Sequence, residues 1–149
     1  LIAHMQGEPS HKLLATAIES LTCMTHRGGI AADGKTGDGC GLLMKKPDGF
    51  LRAALQAEQA VALPEQYAVG QIFLSADPVL AEASKKVIAD LAAQDQLPLL
   101  AWRTVPVDSS VCGDIALSTM PTIMQCFIDM QAHSKEQAAL LLFLLRQRC

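Results

Sequence analysis

Gly29-Ile30-Ala31-Ala32-Asp33-Gly34-Lys35-Thr36 satisfies the phosphate-loop pattern G-x-x-x-x-G-K-[ST] letter by letter. That chemistry needs a strand before the loop and a helix after it, so that helix-terminal amides meet the phosphates. Here a helical pattern precedes the loop and Gly37-Asp38-Gly39-Cys40-Gly41 follows it, a composition that cannot open a stable helix. Asp33 and Asp38 would also set negative charge beside a polyphosphate, so the context argues against nucleotide binding. Gly37, Gly39 and Gly41 are spaced G-x-G-x-G without a surrounding βαβ unit, which fits a tight loop entering a strand better than a dinucleotide fingerprint. Cys23 and His26 lie three apart at a helix end, within mutual reach. A thiolate nucleophile would need that base, while the plainer reading is a buried thiol beside a capping imidazole. His4, His11 and His133 have no neighbouring ligand spacing, which argues against a metal site.

The elements that must position these residues are readable from periodicity. Leu1 to His4 is long enough only for the end of a strand. Ser10 can cap a helix over His11 to Thr25 whose apolar face is Leu14, Ile18 and Leu21, widened by Leu13, Ala17 and Met24. Leu42-Leu43-Met44 reads as a buried strand. Asp48 is placed to cap a helix over Phe50 to Glu58. Tyr67 to Leu74 reads as a strand rich in β-formers, and Asp77-Pro78 as a helix start whose apolar face is Leu80, Ala83, Val87, Ile88 and Leu91. Leu99 to Val107 and Thr122 to Ile128 are further strands. Ser134 with Gln137 forms a capping-box pattern before a last helix. Helices and strands in mixed succession imply an α+β layered domain.

Composition narrows the function classes. The chain has 149 residues, half of them apolar, with 12 basic and 15 acidic side chains and a net charge of −3. That length fits one domain, or a large piece of one, and a compact chain of this mass buries roughly 70% of its unfolded surface. The charge balance argues against nucleic-acid binding by phosphate neutralisation. No apolar run reaches the ~20 residues that span a bilayer, so no membrane role is expected. Cys23, Cys40, Cys112, Cys126 and Cys149 are odd in number without a C-x-x-C pair, as expected of reduced cytosolic thiols. The chain opens and closes inside apolar-patterned segments without a visible signal peptide, as a fragment would.

Leu1-Ile2-Ala3-His4, Gly7-Glu8-Pro9-Ser10-His11-Lys12, His26-Arg27-Gly28 and the run from Ala32 to Leu43 closely resemble the start of bacterial glutamate synthase large chains. The likeness continues through Tyr67-Ala68-Val69-Gly70, Phe73-Leu74, Trp102-Arg103, Val105-Pro106, Gly113 and Ile115-Ala116-Leu117-Ser118. The resemblance implies the class II glutamine amidotransferase (glutaminase) domain, an N-terminal-nucleophile fold layered αββα. Residues 1–149 would be its N-terminal part and the fold would be incomplete within them.

The resemblance also implies a chemistry: a cysteine at the mature N-terminus hydrolyses glutamine with its own α-amino group as base. The ammonia passes to 2-oxoglutarate to make glutamate at a site using FMN and an iron–sulfur cluster. That nucleophile would lie upstream of Leu1, so no catalytic residue and no cofactor ligand is expected within this segment, which alone is expected to be inactive. Arg27 and Gly28 would lie near the nucleophile strand. Arg27 would act there as a positioning residue, although its charge would equally suit helix-end carbonyls. Asp38 would fix the glycine loop by accepting backbone amides. The implied partners are glutamine, the other synthase domains of the same chain and, as electron donor, either a small NADPH-oxidising subunit or ferredoxin, in the cytoplasm. The alternative is a non-catalytic amidotransferase-like interaction or regulatory domain. In either case strand edges and the apolar residues at Leu42–Met44 and Thr122–Ile128 are expected to be incompletely covered, favouring association.

Overall fold

A computed structural model describes residues 2–24, 28–37 and 39–149. Their backbone forms two compact units. One is residues 1–46 with Ser109–Ser118, and the other is Pro47–Asp108 with Thr119–Cys149.

The second unit is built around one sheet. Strands β1 (Tyr67–Leu74), β2 (Leu99–Thr104) and β3 (Thr122–Asp129) are ordered β1-β3-β2. β3 is antiparallel to both neighbours, with Tyr67 opposite Asp129, Leu74 opposite Thr122 and Arg103 opposite Gln125. β1 and β2 therefore run the same way with β3 inserted between them. Helix α3 (Pro78–Gln94) makes the crossover, a split βαβ arrangement. The register of β2 shifts between Leu99 and Ala101.

Strand alternation splits the core into two layers. Tyr67, Ala101 and Phe127 pack with Leu51 and Leu55 of helix α2 (Asp48–Gln59) and with Leu63. Ile128, followed by Met130, packs with Ala92 of α3, Leu97 and Leu145 of α5 (Lys135–Arg148). The sheet thus carries α2 on one face and α3 with α5 on the other. Phe127, Leu55, Leu97 and Ala92 have no solvent exposure at all.

The sequence cues act as expected at several ends. The Asp77 carboxylate accepts from the Val79 amide at 2.8 Å, and Ser134 with Gln137 closes a reciprocal capping box. Arg52 of α2 fastens the following loop, donating to the carbonyls of Leu63 (2.5 Å) and Pro64 (2.8 Å) while stacking over the Tyr67 ring. Arg103 is buried on the α2 face, where its guanidinium grips both carboxylate oxygens of Glu58 and donates to Gln125 Oε1.

Other expectations are corrected. Asp48 is the first residue of α2 rather than its cap, and its carboxylate takes the Arg52 Nε instead. Of the expected face of α3, Ile88 is buried and Leu91 packs on the core, whereas Leu80, Ala83 and Val87 are exposed and Ala81 and Ala92 complete the buried stripe. β2 stops at Thr104, one last bond running from the Val105 amide to the Ile123 carbonyl before Pro106, which has no N–H to offer. Thr122–Ile128 is the central strand, paired on both edges. Leu42, Leu43 and Met44 form no strand and are all exposed, for no other described segment pairs with them. Residues 2–4 form no strand either. Among the described residues there is one named sheet rather than two facing ones.

The first unit holds α1 (His11–Thr22) and α4 (Asp114–Ser118). The Ser10 hydroxyl caps α1 by accepting from the Leu13 amide at 3.3 Å. The helix ends at Thr22, and its expected apolar face is only half-covered at Leu14 and Leu21, with Ile18 exposed.

Candidate functional site

The loop singled out by its glycines is folded by its own polar groups. Ile30 and Gly37 face each other in an isolated antiparallel bridge, and the Ala31 amide donates to the Thr36 carbonyl at 2.7 Å. Within this small hairpin the Gly34 amide donates back to the Ala31 carbonyl, and Gly34 turns the chain with φ +70°, a conformation glycine adopts without a Cβ penalty.

Asp33 organises the turn. Its carboxylate accepts from the backbone amides of Lys35 (3.1 Å) and Thr36 (2.8 Å) and from the Thr36 hydroxyl (2.6 Å). It also accepts from the amide of Ile115, 82 residues further along the chain, at 3.1 Å. The Thr36 oxygen in turn accepts from the Ala116 amide at 3.2 Å. Two side chains thereby tie the hairpin to the first turn of α4. The joint admits no larger residue than Gly113, because a Cβ there would run into the Asp33 carboxylate and the Thr36 hydroxyl and lie 2.6 Å from the Thr36 nitrogen. These donors, the Thr36 hydroxyl first and its amide next, hold the Asp33 carboxyl well below the usual carboxylate range.

This geometry disposes of the phosphate-loop reading on physical grounds. The amides of Lys35 and Thr36 are already taken by Asp33, the Thr36 hydroxyl is occupied on both sides, and among the described residues no helix follows before Asp48. The hairpin instead walls a shallow open depression lined by Gly29, Ile30, Ala31, Thr36 and Gly37.

Of the residues expected to support the site, Gly28 lies in an exposed bend at the mouth of this hairpin. Arg27 and Asp38 lie outside the described residues, as does His26, partner of the Cys23–His26 pair. Cys23 itself is exposed at the end of α1, so it is not the buried thiol of the plainer reading. The loop-fixing role that the sequence assigned to Asp38 is performed, among the described residues, by Asp33. The signal for it was present: an Asp three residues before a Thr is the spacing at which a short side chain closes a turn on its own backbone. Nothing local in the sequence marked Ile115 as its distant partner, or Ala116 as that of Thr36.

Among the described residues no group of three His, Cys, Asp or Glu side chains could hold a metal ion, and no helix is long and apolar enough to cross a membrane. Cys126 is buried in the sheet with its thiol pushed up by desolvation, while Cys23, Cys40 and Cys149 are exposed and all five cysteines are free.

Comparison with known proteins gives a family over the whole length: residues 1–149 match the class-II glutamine amidotransferases. The chain is 40% identical over 130 residues to glutamate synthase [NADH] of Saccharomyces cerevisiae, covering 83% of this chain and 6% of that one. It is 36% identical over 128 residues to ferredoxin-dependent glutamate synthase 1 of Arabidopsis thaliana, covering 85% and 8%. It is 35% identical over 138 residues to the glutamate synthase [NADPH] large chain of Bacillus subtilis, covering 91% and 9%. The chain thus spans less than a tenth of the length of these relatives.

Proposed function

Because the chain belongs to the class-II glutamine amidotransferases, we propose that it forms part of the glutaminase domain of a glutamate synthase. The observation that carries this reading is the match of all 149 residues to one amidotransferase family, with relatives that are glutamate synthases whether named for NADH, ferredoxin or NADPH. In this reading residues 1–149 belong to one amidotransferase domain of αββα type, of which the β1-β3-β2 sheet is one layer.

The chemistry assigned is attack of a cysteine thiolate on the glutamine side-chain amide, departure of ammonia after protonation, and hydrolysis of the resulting thioester by water to free glutamate. In this reading, as the family resemblance implies, the nucleophile is a cysteine ahead of Leu1 with its own α-amino group as base. We expect residues 1–149 to supply scaffold and loop rather than the reacting thiol, and to be inactive by themselves. Arg27 and Gly28 keep their proposed place beside the nucleophile strand, and Asp38 its place in the loop.

FMN and the iron–sulfur cluster of the parent reaction do not fit the described residues: no cysteine cluster is present, and Asp33 occupies the loop amides that a phosphate would need. They are assigned to other domains of the synthase, as is docking of a small NADPH-oxidising subunit. Five unpaired cysteines suit a reducing, cytoplasmic compartment.

The test is ammonia release from glutamine by the natural full-length chain. The reading predicts release that is abolished by replacing the cysteine at the mature N-terminus and unaffected by Cys23→Ala. Absence of release from the intact chain would favour a non-catalytic domain. Release abolished by Cys23→Ala would move the nucleophile to the Cys23–His26 pair.

A further inference from the structure

We infer that Asp33 and Thr36 are positioning residues of the amidotransferase site, holding residues 28–37 on Gly113–Ala116 so that the hairpin presents one fixed wall to glutamine. The inference rests on the proposed glutaminase reading and adds to it a residue pair and a second segment of chain.

Three observations combine. First, Gly113 is the sole buried residue of the first unit among those described, so no apolar core fixes the hairpin there. Second, what does fix it is a set of charge-assisted bonds that converge on one carboxylate from both sides of the joint, with the Thr36 oxygen relaying to Ala116. Third, Thr36 belongs to both the clasp and the lining of the depression, beside Gly29, Ile30, Ala31 and Gly37. Gly28, proposed to lie beside the nucleophile strand, opens this same hairpin, so the wall formed by Gly29, Ile30, Ala31, Thr36 and Gly37 adjoins the proposed glutamine site. The shape of that wall follows the clasp, because the Ile30–Gly37 bridge and the Ala31–Thr36 bond close the same turn that Asp33 pins.

The chemistry of each substitution is specific. Asp33→Asn keeps the size but presents an NH2 group to an N–H or hydroxyl donor. Thr36→Val keeps the shape but leaves the Ala116 amide without its acceptor and Asp33 Oδ2 with the Ile115 amide as its remaining donor. Thr36→Ser keeps the hydroxyl and removes only a methyl group.

The test uses the natural full-length chain, with steady-state glutaminase kinetics and the circular dichroism spectrum of each variant. Asp33→Asn and Thr36→Val are expected to raise KM for glutamine by about tenfold, the size of one charge-assisted hydrogen bond, with kcat changed less and the spectrum unchanged. Thr36→Ser is expected to restore KM to within about twofold of the natural chain, since the bonding oxygen is retained. Should Asp33→Asn fail to fold, the Val/Ser pair at Thr36 still decides. An unchanged KM in Thr36→Val, or a Thr36→Ser variant as impaired as Thr36→Val, would overturn the inference. A natural chain without any glutaminase activity would instead overturn the functional reading beneath it.

Discussion

The two units of this chain are held by different physics. Residues 47–108 and 119–149 bury Leu55, Leu97 and Phe127 completely around a three-stranded sheet, so their order comes from apolar burial. Residues 1–46 and 109–118 have one buried position among those described, Gly113, and it lies where the Asp33 and Thr36 side chains cross-link distant segments. A sheet core tolerates opening only as a whole, whereas a polar clasp can release one loop without disturbing the rest. Functional loops are expected on the weaker of two such supports, and the glycine-rich hairpin is on it.

The sharpest break in the comparison is a core truncation. Phe127→Ala is expected to cost ~3–5 kcal/mol, because it empties space between the sheet and α2 that nothing else fills. Urea unfolding followed by far-UV circular dichroism would show the loss, and the Asp33–Thr36 hairpin should give no comparable signal of its own. Glu58→Gln should cost about 1–2 kcal/mol by the same measurement. It weakens the grip on the buried Arg103 guanidinium, while the half-exposed Glu58 keeps part of the pair screened by water. Ala60 ends α2 in the left-handed region at φ +55°, so Ala60→Gly is expected to stabilise by about 1 kcal/mol. Leu43→Ser should change stability by less than about 0.5 kcal/mol, since the side chain is fully exposed.

Titration separates the units in a second way, for each holds a perturbed group with an opposite cause. Tyr67, the single tyrosine, is pushed up to about 12 by burial first and then by its hydrogen bond to Asp48. Its unfolded value lies near 10, so the folded unit keeps full stability below that pH and loses it as pH rises toward the folded value. Alkaline absorbance titration should find the phenol ionising near 12 in the folded chain and near 10 in denaturant. Asp33 is pushed down by its donors, so the clasp is fully formed above the ordinary Asp value of about 3.9 and fails only as pH falls toward the lowered one. Carboxyl-carbon NMR should show Asp33 still ionised at pH values below the ordinary Asp range.

The sheet was legible in the sequence because local signals agreed with the final packing. Tyr67–Leu74 is a β-rich run between a proline and an aspartate cap, and Ser134 with Gln137 announces α5 within one turn. The errors share a cause: burial is decided by partners distant in sequence. Leu42–Met44 is as apolar as any strand yet no described segment pairs with it, and Leu80 and Val87 turn outward because α3 packs through Ala81, Ile88 and Ala92. At the candidate site the glycines and acidic residues were visible, but the pattern they spelled was that of a phosphate loop. The partners of Asp33 and Thr36 lie 80 and more residues away, where no local spacing points to them.

Native-state hydrogen exchange on the chain and on Asp33→Ala tests the contrast between core and clasp most directly. The amides of Thr36, Ile115 and Ala116 should be protected in the natural sequence despite the lack of an apolar core around them. They should lose that protection together in Asp33→Ala, while the β3 amides of Phe127 and Ile128 keep theirs. Free exchange of those three amides in the natural sequence, or their loss only in step with β3, would contradict a separate polar clasp.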